Sequence, residues 1–201
     1  MPRGPALALL TLAAAACVSP SGVERVPIRA ADFRPAEIRQ PAVVVRVAFG
    51  GRLSDREREG LPAEYEGALL EGLNARAVLA RDVQVLAGGD VKLDAHAALE
   101  RARALGADHA IVVDVRVATG EMIFCRESRR PFQASVTVWS QSVQVLRSRD
   151  GASRLTIPDD AGLTVTDLDA DCDNPRASRR LPTAEAIASA VARLLTRVVG
   201  P

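Results

Sequence analysis

The sequence predicts a single α/β domain, a mixed β-sheet with helices packed on it, in the order β-α-β-α-β-β-β-α. The clearest evidence is residues 93–117, which combine a helix, a glycine stop and a strand. Asp94 offers an N-cap carboxylate, Gly106 stands where a helix needs a left-handed residue, and Ala110-Ile-Val-Val follows without a polar break. Such an apolar run suits a strand that is covered on both faces. The chain has 201 residues, 48% of them hydrophobic, which is enough for one sizeable core.

The first half of the domain contains one more helix and two more strands. Ala42–Phe49 is rich in β-branched residues, and Asp82–Ala87 has a similar pattern over a shorter length. Ser54-x-x-Glu57 fits a capping box for a short helical turn, and Pro62 predicts the first residue of a separate helix that ends near Ala77. The apolar face of that helix comprises Tyr65, Ala68, Leu69, Gly72 and Leu73.

The second half is dominated by a long strand, Phe132–Leu146, in which apolar and polar residues alternate. The alternation places Trp139 on the polar face, and the apolar set then shifts to Val143 and Val145. This change of phase predicts a bulge or bend near residues 140–142.

Turn and helix signals complete the domain. Gly120 is expected to close the central strand, and Arg149-Asp150-Gly151 predicts a hairpin turn because Asp-Gly tolerates positive φ. Arg154–Ile157 would be the returning strand, residues 159–180 are mostly irregular, and Thr183 is expected to cap a last amphipathic helix. The apolar positions of that helix are Ile187, Val191, Leu194 and Val198.

Residues 1–16 have the features of a signal peptide. A short positive start, Met1-Pro-Arg-Gly, precedes an apolar segment, Pro5–Ala16, that is too short to span a bilayer, which needs about 20 apolar residues. Leu12-Ala-Ala-Ala-Ala-Cys17 resembles the lipobox of bacterial lipoproteins, in which the cysteine becomes the lipidated first residue of the mature chain. An ordinary signal-peptidase site, Ala14-x-Ala16, is one alternative, and a buried N-terminal helix is another.

The lipoprotein resemblance has further implications. Ala14 stands where the lipobox usually has leucine, with Leu12 two places further back. Cys17 would carry acyl chains such as palmitate, and Val18 rather than aspartate after it implies sorting to the outer membrane, facing the periplasm, in a bacterium that has one. Residues 17–41 are rich in Pro, Ser and Arg, and they predict a lipidated N-terminus and flexible tether ahead of a domain at 42–201.

The number of cysteines, three, is consistent with export to an oxidising compartment. An exported chain meets an oxidising compartment, so lipid on Cys17 would leave Cys125 and Cys172 to form a disulfide that pins an insertion at about residues 158–180. For a loop of this length the chain-entropy estimate is about 4 kcal/mol. Two buried reduced thiols are the alternative, and with two histidines and no Cys-x-x-Cys pattern we expect no zinc site.

Composition excludes some classes of partner. The net charge is +1, which gives no strong electrostatic attraction to nucleic acid or anionic lipid. Aromatic residues are only 3% of the chain, so few side chains can stack on bases or sugars. We therefore expect no nucleic-acid partner. The expected contacts are a membrane, through the N-terminal lipid, and an unidentified envelope protein.

Alternating aspartates form the one candidate cation site. Hard oxygen ligands suit Ca²⁺, but an EF-hand loop needs Gly at its sixth place and Glu at its twelfth, where this chain has Cys172 and Ser178. A solvated acidic loop held by the disulfide is the alternative, and we expect no metal. The candidates are Asp167, Asp169, Asp171 and Asp173.

Arginines flank both disulfide cysteines: Arg126, Arg129, Arg130, Arg176, Arg179 and Arg180. A disulfide would bring them together beside the acidic run, as a self-neutralising patch or as a docking surface for a partner or an anionic glycan. Trp139 is a further candidate for a partner surface, because exposed tryptophans are often binding hot spots. Cover by the last helix or by the insertion is the alternative for Trp139.

No catalytic pattern is visible in the sequence. His96 and His109 fit satisfied structural or surface histidines, and nothing like a nucleophile elbow accompanies them. Gly50-Gly51 and Gly88-Gly89 lack the Gly-Lys-Ser/Thr of a phosphate loop, so they are interpreted as turns. We expect neither enzyme activity nor a cofactor, and a hydrolase with an unrecognised site is the least favoured hypothesis.

Three phrases resemble a class of envelope proteins: Val43-Val-Val-Arg-Val-Ala-Phe, Ala104-Leu-Gly-Ala-Asp-His-Ala-Ile-Val-Val, and the long strand that runs into Arg149-Asp-Gly-Ala-Ser. The class comprises the amino-terminal domain of TolB, the curli-secretion lipoproteins and the lipoprotein activators of penicillin-binding proteins. The resemblance covers residues 42–157 and the last helix. The class usually has Pro-Phe where this chain has Ala48-Phe49-Gly50, and the insertion has no counterpart.

The resemblance implies binding and assembly in the cell envelope. We therefore expect a lipid-anchored periplasmic accessory lipoprotein that acts by protein–protein interaction. The alternative is a solute- or cation-binding lipoprotein that uses the loop Asp167–Asp173.

Overall fold

The computed structural model describes residues 26–51, 53–88, 91–159 and 161–201. The predicted signal peptide, the predicted lipidation site Cys17 and residues 17–25 of the predicted tether lie outside these ranges. The described chain forms one α/β domain with a seven-stranded mixed sheet, a two-stranded ribbon and three α-helices. The strands are β1 (Ile28–Arg29), β2 (Ala42–Gly50), β3 (Asp82–Ala87), β4 (His109–Phe124), β5 (Phe132–Arg147), β6 (Ser153–Ile157), β7 (Val165–Thr166), β8 (Leu168–Asp169) and β9 (Arg179–Arg180). The helices are α1 (Asp55–Ala75), α2 (Ala95–Ala104) and α3 (Thr183–Val198).

The sheet has the strand order β1-β6-β5-β4-β2-β3, with β7 also paired to β5. Strand β2 runs parallel to both β3 and β4, and β4, β5 and β6 are joined as antiparallel neighbours. Strands β8 and β9 form the separate ribbon. The predicted fold class and the predicted order of the main elements are confirmed.

Strands β4 and β5 form an unbroken hairpin that corrects two predictions. Their register runs from His109–Arg147 to Phe124–Phe132, so Gly120 does not close β4 but pairs with Val136. The pairing continues through residues 140–142 without a bulge, and a register shift lies instead between Val145 and Leu146, against β6. The apolar phase changes because β5 buries Val136 on one face and the alternate residues Trp139, Gln141, Val143 and Val145 on the other.

Helices α1 and α3 cover one face of the sheet. We predicted two helical pieces before β3, but α1 is continuous with Pro62 inside it. Leu61 and Tyr65 are both buried there, so packing keeps the chain helical although proline removes one backbone hydrogen bond. Gly72 lets the two helices approach closely, since a Cβ atom there would lie 2.6 Å from Cδ1 of Leu195. The Glu57 side chain of the predicted capping box lies outside the described part of the chain.

Helix α2 covers the other face as the local signals predict. Asp94 Oδ1 accepts hydrogen bonds from the backbone amides of His96 (2.8 Å) and Ala97 (3.3 Å), and Gly106 has a φ of +64°. The helix buries Ala98, Leu99 and Ala102. For α3 the cap prediction is wrong: Thr183 is its first helical residue, and Pro182 stands at the N-cap without a side-chain hydrogen bond.

The structure also corrects the predicted tether. Residues 26–41, here called the N-terminal strap, pack on the domain instead of extending away from it. Ile28 pairs with Thr156 of β6, and Phe33 and Ile38 are each only 2% exposed within the main core. The sequence does not signal this packing because two isolated apolar residues among polar ones give no periodicity.

A polar node lies inside the core between the sheet and its two covering helices. Gln141 of β5 is fully buried, and its Oε1 accepts a 2.7 Å hydrogen bond from the Tyr65 hydroxyl. Its Nε2 donates to the backbone carbonyls of Leu163 (3.1 Å) and Ala190 (3.0 Å). One side chain therefore ties β5 to α1, to α3 and to the insertion.

Candidate functional site

The disulfide joins the end of the β4–β5 hairpin to the insertion. Cys125 and Cys172 are bonded, with Cα atoms 5.3 Å apart and a sequence separation of 47 positions. Cys125 has a φ of +57°, a strained conformation for a residue other than glycine, and its carbonyl accepts a 2.9 Å hydrogen bond from Ser128 N. Phe124 and Phe132 stack behind it with ring centroids 5.5 Å apart. We call this region, residues 123–132 and 168–180, the tip.

Two of the predicted surface arginines are engaged within the domain. Arg179 binds both carboxylate oxygens of Glu185 at 2.8 and 3.1 Å, which raises the pKa of Arg179 and lowers that of Glu185. Arg180 binds Asp167 at 2.9 Å and donates to the carbonyl of Ser135 at 2.6 Å. These two side chains hold the insertion in place and are not free for a partner.

The other arginines of the tip are exposed and make no ion pair with any residue that the structure describes. They are Arg126, Arg129, Arg130 and Arg176. Ile123 lies beside them and is 49% exposed. Arg129 and Arg130 therefore remain candidates for a partner surface, with Arg126 and Arg176 as neighbours.

The alternating aspartates do not converge on one point. Asp167 is held by Arg180 and accepts a 2.9 Å bond from Thr137 N, while Asp171 Oδ1 accepts from the amides of Asp173 (2.9 Å) and Asn174 (2.8 Å) in its own turn. Within the described ranges no cluster of three or more histidine, cysteine or acidic side chains is arranged to hold a metal ion. The run Asp167–Asp173 is thus a loop whose carboxylates serve separate local contacts, and nothing in its geometry supports the cation hypothesis.

Trp139 is not part of a partner surface, so that prediction is wrong, and the alternative of cover by the insertion is confirmed. It is 2% exposed and belongs to the main core, where its register partners are Val117 of β4 and Val165 of β7. The insertion, through β7, and the helical layer cover this face of β5. Local alternation cannot show which face of a strand a distant segment covers.

A polar groove that sequence reasoning did not find lies on the sheet beside the start of α2. Its volume is about 710 Å³, and its lining includes Arg46, Asp114, Ser142 and Gln144. Arg46 donates to both oxygens of Asp114 at 2.8 and 2.7 Å, which raises the pKa of Arg46. The one sequence signal is that Arg46 and Asp114 interrupt two apolar strands and are register partners. None of the described lining residues is a histidine or a cysteine.

The two histidines differ in environment. His96 is exposed near the start of α2, as expected. His109 is 3% exposed, and its Nε2 is buried without a hydrogen-bond partner among the described residues. The prediction of a satisfied structural histidine is therefore wrong for that nitrogen. Among the described residues, no helix is long and apolar enough to span a membrane.

No protein-family model matches this chain, and no curated protein sequence matches it. Similar solved structures include the PelC dodecamer of Paraburkholderia phytofirmans, which is 15% identical, with a TM-score of 0.36 over 87% of this chain and 93% of that chain. A homologue of neuraminyllactose-binding haemagglutinin from Helicobacter pylori is 14% identical, with a TM-score of 0.36 over 82% and 87%. The lipoprotein GNA1162 of Neisseria meningitidis is 14% identical, with a TM-score of 0.32 over 80% and 100%. Likeness at this level shows neither a family nor a function, so the TolB, curli-secretion and activator resemblance stays a prediction.

Proposed function

We propose that this protein is a lipid-anchored accessory or assembly protein of the bacterial cell envelope, which binds another protein and catalyses no reaction. The observation that carries the proposal is the disulfide between Cys125 and Cys172. Disulfides persist in oxidising compartments and are rare in the cytosol. With these two cysteines paired, Cys17 is the one cysteine left for lipid, next to an apolar leader.

The tip is the surface that we assign to partner binding. It combines four exposed arginines, which form no ion pair with the described residues, with a half-exposed Ile123. Arginine is enriched at protein interfaces because its planar group can bind carboxylates in a bidentate manner. The disulfide and the pairs made by Arg179 and Arg180 fix the tip, so little conformational entropy is lost on binding. The expected partner is a protein with an acidic patch on a periplasmic surface of the outer membrane.

Anchoring and partner binding are tested separately. Replacing Cys17 by alanine should move the protein from the membrane fraction to the soluble periplasmic fraction, while the domain keeps its fold. Recovery of the Cys17→Ala variant in the membrane fraction at the wild-type level would contradict the anchor.

For partner binding, Arg129 and Arg130 are replaced together by alanine, and cross-linked partners are quantified from intact cells. The matched control replaces Arg58 of α1 and Arg197 of α3, which are also exposed and without ion pairs among the described residues. Cross-linking should fall at least about tenfold for the tip variant and stay unchanged for the control, since hot-spot residues contribute about 1–2 kcal/mol each or more. Equal yields for the two variants would contradict the assignment of the tip.

A further inference from the structure

We propose that His109 is a pH-sensitive clamp on the N-terminal strap: when its imidazole is protonated, the ring bridges a carboxylate of the strap to the carboxylate that directly precedes strand β4. The strap packs tightly in acid and opens more often as the pH rises.

The geometry places one buried ring between two carboxylates. His109 is the first residue of β4 and is 3% exposed. Its Nδ1 lies 3.2 Å from Asp108 Oδ1, and its Nε2 lies 3.7 Å from Glu37 Oε1 in the strap. Nε2 makes no hydrogen bond with the described residues. The ring therefore lies within hydrogen-bond distance of Asp108 and slightly beyond that distance from Glu37.

The number of N–H groups on the His109 ring decides which protonation state fits this position. A neutral imidazole carries one N–H group and one acceptor nitrogen. Either neutral tautomer would turn an acceptor nitrogen toward a carboxylate, which is an unfavourable contact for a ring that is only 3% exposed. The imidazolium has two N–H groups, and it can donate one to Asp108 and one to Glu37 with a small movement of the Glu37 side chain. Only the protonated ring satisfies both neighbours.

No other positive charge near the ring can take the place of the His109 imidazolium between these two carboxylates. Asp108 Oδ2 accepts from the backbone amides of Arg39 (2.7 Å) and Gln40 (2.8 Å), so this carboxylate also holds the end of the strap. The nearby arginines already have partners. Arg154 binds Glu37 (3.1 Å) and Asp32 (2.8 Å). The others are Arg147, which binds Asp150 (2.6 Å), Arg149, which lies 3.8 Å from Asp150, and Arg103, which binds Glu100 (2.6 Å) and the carbonyl of Ser148 (2.7 Å). The carboxylates that face this cluster are Asp32, Glu37, Asp108 and Asp150.

The direction of the effect follows from these contacts. Histidine changes its charge between about pH 5 and pH 8. Below that range the strap is held by two charge-assisted hydrogen bonds through His109, and they are lost when the ring gives up its proton. Opening of the strap would lengthen the link between the domain and an N-terminal anchor, since residues 26–41 can span at most roughly 55 Å when fully extended.

Hydrogen–deuterium exchange of the mature chain, read by mass spectrometry, tests the clamp. Protection factors of the amides in residues 26–41, corrected for intrinsic exchange at each pH, are compared at pH 5.5 and pH 7.5. In the wild type we expect strap protection to fall at least about threefold on going to pH 7.5, within the limit of about tenfold per pH unit for one proton. Protection in residues 66–74 of α1 should stay constant.

The chain has two histidines, which provides a matched pair of variants. His109→Gln should remove the pH dependence of strap protection, and His96→Gln should keep it. Glu37→Gln is a second test variant, because Glu37 is partly exposed and its replacement should leave the fold intact, as checked by circular dichroism. It should reduce the dependence at least about twofold, since one of the two acceptor charges is gone.

Four results would overturn the clamp. In the wild type, the first is strap protection that is equal at the two pH values, the second is strap protection that rises with pH, and the third is a change of the same size in α1. The fourth is an undiminished pH dependence of strap protection in His109→Gln. If His109→Gln does not fold, an undiminished dependence in Glu37→Gln has the same consequence. None of these measurements needs the lipid anchor, so failure of the clamp and failure of the proposed function are distinguishable.

Discussion

The buried polar node around Gln141 gives a quantitative test of what holds the layers together. Burial raises the pKa of Tyr65, so its hydroxyl keeps its proton and donates to Gln141 Oε1 at 2.7 Å. Replacing Gln141 by leucine keeps a similar volume but removes the acceptor for Tyr65 and the donor to the carbonyls of Leu163 and Ala190. A buried polar group left without a partner costs about 1–3 kcal/mol. We therefore expect Gln141→Leu to lower the free energy of unfolding by about 2–4 kcal/mol.

A double-mutant cycle separates the hydrogen bond from simple packing. Tyr65→Phe alone leaves Gln141 Oε1 without its donor and should cost about 1–2 kcal/mol. In the double variant the Tyr65 hydroxyl and its acceptor are both absent. The double variant should therefore be less destabilised than the sum of the single variants, by about 1–2 kcal/mol. The assay is urea unfolding followed by circular dichroism with the disulfide intact, where a small domain usually unfolds in one step.

The matched control is Gln144→Leu in the same strand. Gln144 is partly exposed, and its side chain has no hydrogen bond within the described part of the chain, so its replacement should change stability by less than about 0.5 kcal/mol. Additive costs for Tyr65→Phe and Gln141→Leu, or a loss for Gln141→Leu no larger than for Gln144→Leu, would refute the role of the node.

Three further predictions concern the disulfide, the acidic loop and acid stability. Replacing Cys125 and Cys172 together by serine should lower the free energy of unfolding by about 2–4 kcal/mol in the same urea assay, and an unchanged midpoint would show that the bond does not constrain the unfolded chain. Millimolar Ca²⁺ should leave the melting temperature unchanged, and a rise of several degrees would reinstate the acidic loop as a cation site. Partial burial raises the pKa of Asp108, but hydrogen bonds from His109, Gln40 and Arg39 outweigh it and hold the pKa below its usual value. The stability that Asp108 contributes is thus present above about pH 4 and lost as the pH falls through its lower folded value, so Asp108→Asn should flatten the acid limb of a stability–pH curve, and an identical limb would contradict this.

Local signals were enough to predict most of the fold. The cap at Asp94, the left-handed Gly106 and the turn at Asp150-Gly151 depend on neighbours within a few residues, and the structure contains all three. The mixed character of the sheet followed from the order of the elements, and the structure supplies the individual strand pairings. These features are decided by backbone geometry, which the sequence expresses locally.

The wrong predictions for Trp139, Pro62 and the tether share a physical cause, which is packing against segments far away in the chain. Trp139 is buried because β7 and the helical layer cover it, and Pro62 stays inside α1 because the flanking side chains pack on the core. Phe33 and Ile38 carry no pattern of their own and are buried because β1 pairs with β6. Single-sequence periodicity does not contain this information.

The same contrast holds for the candidate sites. The disulfide was predictable because the chain has three cysteines, and lipid on Cys17 would leave only Cys125 and Cys172 to pair. The contacts of His109 were not predictable, because Glu37 lies 72 positions before it in the sequence and no motif links the two residues. The arginines of the tip were predicted as one group, but only the structure separates Arg179 and Arg180, which are paired, from the four that have no ion pair with the described residues.

The most direct test of the central claim is the intact mass of the mature protein, extracted from the membrane fraction of its own cells without reductant. The proposed account predicts a chain that begins at Cys17, carries acyl chains on that residue, and has Cys125 and Cys172 oxidised. A mature chain that lacks the acyl mass, or one in which both of these cysteines are free thiols, would contradict it.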